Sequence, residues 1–222
     1  MSRQISYRKH FLQTEYNYAF DGYSFMGQKN STNQYAHDSL HSFVISDFHA
    51  VKNYPKELRL FMNTCWNELT SVVKEVEQSI LHKMLVQSEI IQFHKKNIGH
   101  MMSLNFYPIM KKQNIKRLST HKDVSLISIF PFGISRELFI IDENGDETNI
   151  PPTKNLIAFP GFLIELLSKG KIKALQHHVN CDELINLERY SYVMFSIPIP
   201  NINLPIININ SENYFKKYLS LF

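Results

Sequence analysis

The hydrophobic pattern of this chain changes period once, and that change restricts the folds open to it. From Pro55, apolar residues fall at Leu58, Phe61, Cys65, Leu69, Val72, Val76, Ile80 and Met84. Steps of three and four place them on one face of a helix. Pro55 suits a first helical turn, where its missing N–H costs nothing. The stripe predicts a helix packed on a sheet. After Gly99 the pattern becomes a series of short extended runs, at 103–107, 124–130, 138–141, 156–159, 173–179 and 190–197. Asn144-Gly145 lies between two extended runs, a hairpin signal, and Pro151-Pro152 ends the second of them. A helix followed by many short strands reads as α+β, with the strands forming a sandwich or barrel. Residues 1–54, polar and aromatic without clear period, are expected to pack as a short N-terminal segment on a single domain spanning 55–222.

The 222 residues include sixteen Phe and eleven Tyr against seven Gly, ample material for one packed core and unlike a disordered chain. The opening Met1-Ser-Arg-Gln-Ile-Ser lacks the apolar core of a secretory signal. With two cysteines, Cys65 and Cys181, a reduced cytoplasmic setting is expected and no disulfide is needed. No apolar run approaches the ~18 residues of a membrane span. A net charge of +4 fits either nucleic acid or anionic substrates and cosubstrates. The lysines come as scattered pairs, Lys95-Lys96, Lys111-Lys112 and Lys216-Lys217, which read as solvated surface. Without a basic stripe interleaved with aromatics, neither a nucleic acid nor a membrane is expected as a partner.

Chemistry-bearing residues are dispersed. His121 and Asp123 are two apart, so in an extended segment both side chains point to one side. Two imidazoles and one carboxylate on one face of a metal leave the opposite positions open, as a non-haem Fe(II) oxygenase requires. The second imidazole must come from a facing strand. His177 shares its strand face with Leu175 and Val179, whereas His178 shares its face with Gln176 and Asn180, so His177 is expected to turn inward and His178 outward. Arg189 and Ser191 share a face with Val193 and Phe195. An arginine turned toward an apolar interior needs an anionic partner, and its planar fork suits a carboxylate, with the Ser191 hydroxyl as a second donor. On residues alone, blander readings stay open. His121 and Asp123 also fit a strand-end histidine beside a surface aspartate, and Arg189 fits an ion pair with Glu188 or Asp182. Arg117 fits a partner for an acidic substrate or, more plainly, a surface arginine before a strand.

Four segments occur in order: Asn105-Phe-Tyr107-Pro108, His121-Lys-Asp123, Lys173-Ala-Leu-Gln-His177-His-Val179 and Arg189-Tyr-Ser191. Together they resemble the isopenicillin N synthase-like branch of the 2-oxoglutarate/Fe(II)-dependent dioxygenases. The resemblance implies a double-stranded β-helix, or jelly-roll, with helices packed on one side and a short N-terminal region. It further implies His121, Asp123 and His177 as ligands of Fe(II), and Arg189 and Ser191 as the site of the distal carboxylate of 2-oxoglutarate. Tyr107 and Asn105 would add hydrogen bonds to that cosubstrate. The implied reaction hydroxylates or desaturates a small-molecule metabolite with O2, forming succinate and CO2. Alternatives are an isopenicillin N synthase-like Fe(II) oxidase that does not use 2-oxoglutarate and a non-catalytic jelly-roll binding protein. Arg117, Ser119, Phe159 and Phe195 are pocket-lining candidates by analogy. Where the family has Asn-x-Gly-Asp, this chain has Ala158-Phe-Pro160-Gly161, which is expected to reshape the pocket wall.

Overall fold

The computed structural model describes residues 7–8, 10–13, 18–26, 38–109, 116–180 and 187–221. Lys111-Lys112, Cys181 and Asp182 lie outside the described residues.

Two antiparallel sheets face each other in an open jelly-roll. The larger has the order β1-β2-β3-β10-β5-β8, with β1 Gly22–Ser24, β2 His41–Ser46, β3 Ile98–Tyr107, β5 Ile127–Phe130, β8 Ile157–Pro160 and β10 Arg189–Pro198. The smaller has the order β4-β9-β6-β7, with β4 Lys116–His121, β6 Leu138–Ile141, β7 Glu147–Asn149 and β9 Gln176–Asn180. The Asn144-Gly145 signal marks the β6–β7 hairpin. Gly145 takes φ +88° there, and the Asp142 carboxylate accepts from the N–H groups of Asn144 and Asp146. Gly22–Ser24 and His41–Ser46 supply two strands to the larger sheet, so these parts of the N-terminal segment are built into the core architecture. Its polar and aromatic composition hid that period.

The apolar stripe from Leu58 to Met84 forms two helices, α1 Lys56–Thr64 and α2 Trp66–Lys83, separated at Cys65. The fully buried line on α2 is Trp66, Val73, Glu77 and Leu81. It lies beside the sequence stripe, whose Leu69, Val76 and Ile80 flank it as partly buried contacts. α3 Ser88–Asn97 runs directly into β3. These helices, with α5 Ser211–Leu219, pack on strands of the larger sheet. The main apolar cluster lies between them, drawing on Trp66, Leu81, Phe93, Met102, Ile197 and Phe215. The burial pattern of β10 records the boundary. Its first half alternates, with Tyr190 and Tyr192 exposed opposite Arg189, Ser191 and Val193, and its second half is buried on both faces. A smaller cluster, with Leu40, Tyr107, Leu138, Val179 and Val193, lies between the two sheets. No helix among the described residues is long and apolar enough to cross a membrane.

Candidate active site

Strand register assembles the site. β4 pairs with β9 so that His121 stands opposite His177, and their rings lie 4.3 Å apart. β3 pairs with β10 over ten residues, with Tyr107 opposite Arg189 and Asn105 opposite Ser191. All seven residues singled out from the sequence, Asn105, Tyr107, His121, Asp123, His177, Arg189 and Ser191, line one cavity between the sheets that opens to solvent.

The ring nitrogens are committed in a particular way. Nδ1 of His121 faces the carbonyl of Ser119 at 2.8 Å, and Nδ1 of His177 faces the carbonyl of Leu175 at 3.3 Å. A carbonyl only accepts, so Nδ1 carries the proton in each ring, and in the neutral ring Nε2 presents its lone pair. Asp123 is anchored likewise. Its Oδ2 accepts from the Ser128 hydroxyl at 2.6 Å, which leaves Oδ1 facing Nε2 of His121 at 3.2 Å and Nε2 of His177 at 3.7 Å. Three acceptor atoms aimed at one point require a proton or a cation between them. Among the described residues this is the one group of three whose ligand atoms all lie within 4.8 Å of one another.

The electrostatics follow from that geometry. Burial pushes the Asp123 carboxyl up, but the two imidazoles and the Ser128 hydroxyl outweigh it and hold the group below its ordinary value. Burial also opposes charge on His121, yet the Asp123 hydrogen bond and charge and the Ser119 carbonyl raise its pKa. His177 has less compensation, and burial takes it down to about 4. His177 is therefore neutral near pH 7, as a metal ligand must be.

At the other end of the cavity, Arg189 is 6% exposed. Its Nε donates to the Ser135 hydroxyl at 2.7 Å and to the Arg136 carbonyl, and its guanidinium lies 4.7 Å from the centre of the Tyr107 ring. Its Nη1 is buried with no hydrogen-bond partner among the described residues. Burial raises the Tyr107 phenol above its ordinary pKa although Arg189 opposes the shift, so it remains an O–H donor. Asn105 accepts from the Ser103 hydroxyl, which is also paired with Ser42.

Other candidates fall differently. Phe195 lines the cavity, whereas Arg117, Ser119 and Phe159 do not. Phe159 packs at 4.9 Å on the His177 ring, and Ser119 donates to Asp38. Arg117 is no surface residue. It is fully buried, donates to the Leu187 carbonyl and sits 3.6 Å from Glu137. His178 does turn away from the cavity, but it is sealed from solvent by stacking on Phe139 at 5.3 Å, a packing partner that strand alternation alone cannot reveal. Gly161 permits a close approach, since a Cβ there would meet the Ser125 carbonyl oxygen at 2.2 Å. The helix that follows, α4 Phe162–Leu167, can thus donate from Phe162 N to the Asp123 carbonyl and from Leu163 N to the Ser125 carbonyl. Ser128, Phe20 and Tyr218 also belong to the site or its support. No sequence motif announced them.

This is the fold of the Fe(II) oxygenase jelly-rolls. Residues 98–198, which carry the whole cluster, match the family described as the 2OG-Fe(II) oxygenase superfamily. The isopenicillin N synthase-like resemblance is consistent with that superfamily. No curated protein sequence matches the chain. Among solved structures, a full-length Neurospora crassa protein in complex with alpha-KG is 20% identical with a TM-score of 0.75, over 98% of this chain and 78% of that one. JOX2 in complex with 2OG, Fe and JA is 16% identical with a TM-score of 0.75, over 97% and 69%. The dioxygenase for auxin oxidation 1 from Arabidopsis thaliana, as its 2-oxoglutarate complex, is 15% identical with a TM-score of 0.70, over 95% and 79%.

Proposed function

We propose that this protein is a non-haem Fe(II)- and 2-oxoglutarate-dependent oxygenase that hydroxylates or desaturates a small molecule. The observation that carries this reading is the anchoring of the ligand set. With both Nδ1 atoms spent on backbone carbonyls and Oδ2 of Asp123 on Ser128, two Nε2 atoms and Oδ1 remain to face one point. That donor set fits Fe(II), because three ligands on one face leave room for cosubstrate and O2 on the other. Fe(II), when bound, supplies O2 activation that couples oxidation of a substrate C–H bond to conversion of 2-oxoglutarate into succinate and CO2.

The protein's own residues bind and orient. Arg189 presents a buried cation with an unspent N–H, and Ser191 a hydroxyl beside it, matched to a distal carboxylate. Tyr107 and Asn105, opposite them in the ladder, offer further polar contacts. Phe130, Val193 and Phe195 supply apolar wall. All of these residues lie in 55–222, the proposed oxygenase unit.

An anaerobic titration tests the reading. Fe(II) is added to metal-free protein, then 2-oxoglutarate, and the visible absorption is recorded. A charge-transfer band that needs both supports bidentate chelation at the proposed iron. Bound Fe(II) with no band favours an oxidase that does not use 2-oxoglutarate, and no Fe(II) binding overturns the assignment.

A further inference from the structure

We propose that α5 is a positioning element of the metal site, with Tyr214 and Tyr218 holding the chain on either side of Asp123. This rests on the metal assignment above. Three consecutive carbonyls, those of Lys122, Asp123 and Val124, each accept a hydrogen bond from a different residue. Tyr218 Oη donates to Lys122 at 2.9 Å, Phe162 N to Asp123 at 2.7 Å, and Tyr214 Oη to Val124. The two tyrosines are 0% and 4% exposed for Tyr214 and Tyr218. Phe162 packs against both rings, with centroids 6.2 Å from each.

The spacing is geometrically apt. Residues four apart on a helix lie on one face and rise about 6 Å. Carbonyls two apart in extended chain are separated by about 6.6 Å. One helix face can therefore reach the residues before and after Asp123 while leaving its side chain free. Ser128 then fixes the carboxylate itself. Tyr218 also lines the cavity, so its ring forms wall while its hydroxyl holds the backbone. Support of this kind orients a ligand without touching the metal, and its loss typically costs about 10–100-fold in metal affinity.

The test compares Tyr218→Phe and the double variant Tyr214→Phe/Tyr218→Phe with Tyr18→Phe. Tyr18 Oη donates to the Pro198 carbonyl at 2.5 Å and its ring packs on Phe215, so it is a matched hydroxyl loss from the same aromatic cluster. Fe(II) affinity is measured anaerobically, with the charge-transfer band after 2-oxoglutarate and the Tm of each protein. The double variant is expected to bind Fe(II) about ten-fold more weakly, with a shifted band, while Tyr18→Phe keeps the parent affinity. Parent-like affinity in the double variant overturns the proposal, whatever its Tm. If the double variant does not fold, Tyr218→Phe decides by the same two results. A parent protein that binds no Fe(II) removes the functional reading and this inference together, whereas a binding parent with unaffected variants removes this inference alone.

Discussion

Two clusters in this molecule are built from the same parts, two imidazoles and one carboxylate, and they are wired in opposite senses. Beneath the helices, Nε2 of His94 and Nε2 of His100 both reach Oε2 of Glu77, at 2.7 and 3.0 Å. Those nitrogens carry the protons and give them to the carboxylate. In the cavity it is Nδ1 that donates, to backbone carbonyls, and Nε2 that looks toward Asp123 at the wider distances of 3.2 and 3.7 Å. The first cluster is closed, with Glu77 and His94 at 0% exposure and His100 at 2%. The second opens onto a cavity. Residue type does not make a metal site; the ring nitrogen occupied by the backbone decides whether an imidazole is a donor or a ligand.

The largest test of that contrast removes each carboxylate in turn. Asp123→Ala should abolish turnover and weaken Fe(II) binding more than about 100-fold, beyond the effect of an outer-shell change. Metal titration reads this, and unchanged affinity would remove Asp123 from the ligand set. Glu77→Ala should do the reverse. It strands two buried imidazoles and should cost about 3–5 kcal/mol in denaturant unfolding, with Fe(II) affinity intact in the folded protein. A loss of metal binding there would show that the clusters are coupled.

A middle-sized effect sharpens the cavity's own division of labour. Arg189→Ala should raise the 2-oxoglutarate requirement about 10–100-fold, the worth of a charged hydrogen bond, while Fe(II) binding stays near the parent value. An unchanged cosubstrate affinity would count against the role of Arg189. The smallest effect concerns acid. Burial pushes Glu77 up, but the charge and hydrogen bonds of His100 and His94 take it below its ordinary value of 4.5. Its contribution to stability is therefore full above that value and fades as pH falls below it toward the depressed one. Asp47, 3.8 Å from Nδ1 of His100, is the other carboxylate facing the cluster. Glu77→Gln should flatten the acid limb of a stability–pH curve, and an unaltered limb would assign acid unfolding elsewhere.

The contrast also explains what the sequence could disclose. His177, Arg189 and Ser191 sit on strands whose sequence alternates, so His177 could be separated from His178, and Arg189 and Ser191 placed on one face. Glu77 could not be found in this way. It interrupts an apolar helix face, where a charged residue reads as solvated, and its partners lie on α3 and β3, with no fixed spacing to signal them. Arg117 failed as a surface residue for the same reason, since its burial depends on Leu187 and Glu137 from distant segments. The supports of Asp123 were equally hidden. Tyr214 and Tyr218 are ordinary amphipathic-helix residues until the fold brings their hydroxyls to Val124 and Lys122.

The ladder between β3 and β10 joins Ile98 to Pro198 and Tyr107 to Arg189. Such pairing closes a long intervening stretch of chain, an entropic cost that must be met before any contact rewards it. The helices α1 to α3 also pack on their neighbours in sequence, contacts that close short stretches of chain. A refolding chain is therefore expected to finish contacts among these helices early and the Arg189 end of its cavity late. Because the pocket exists only in the finished ladder, a dicarboxylate that binds there draws the last folding step forward by mass action.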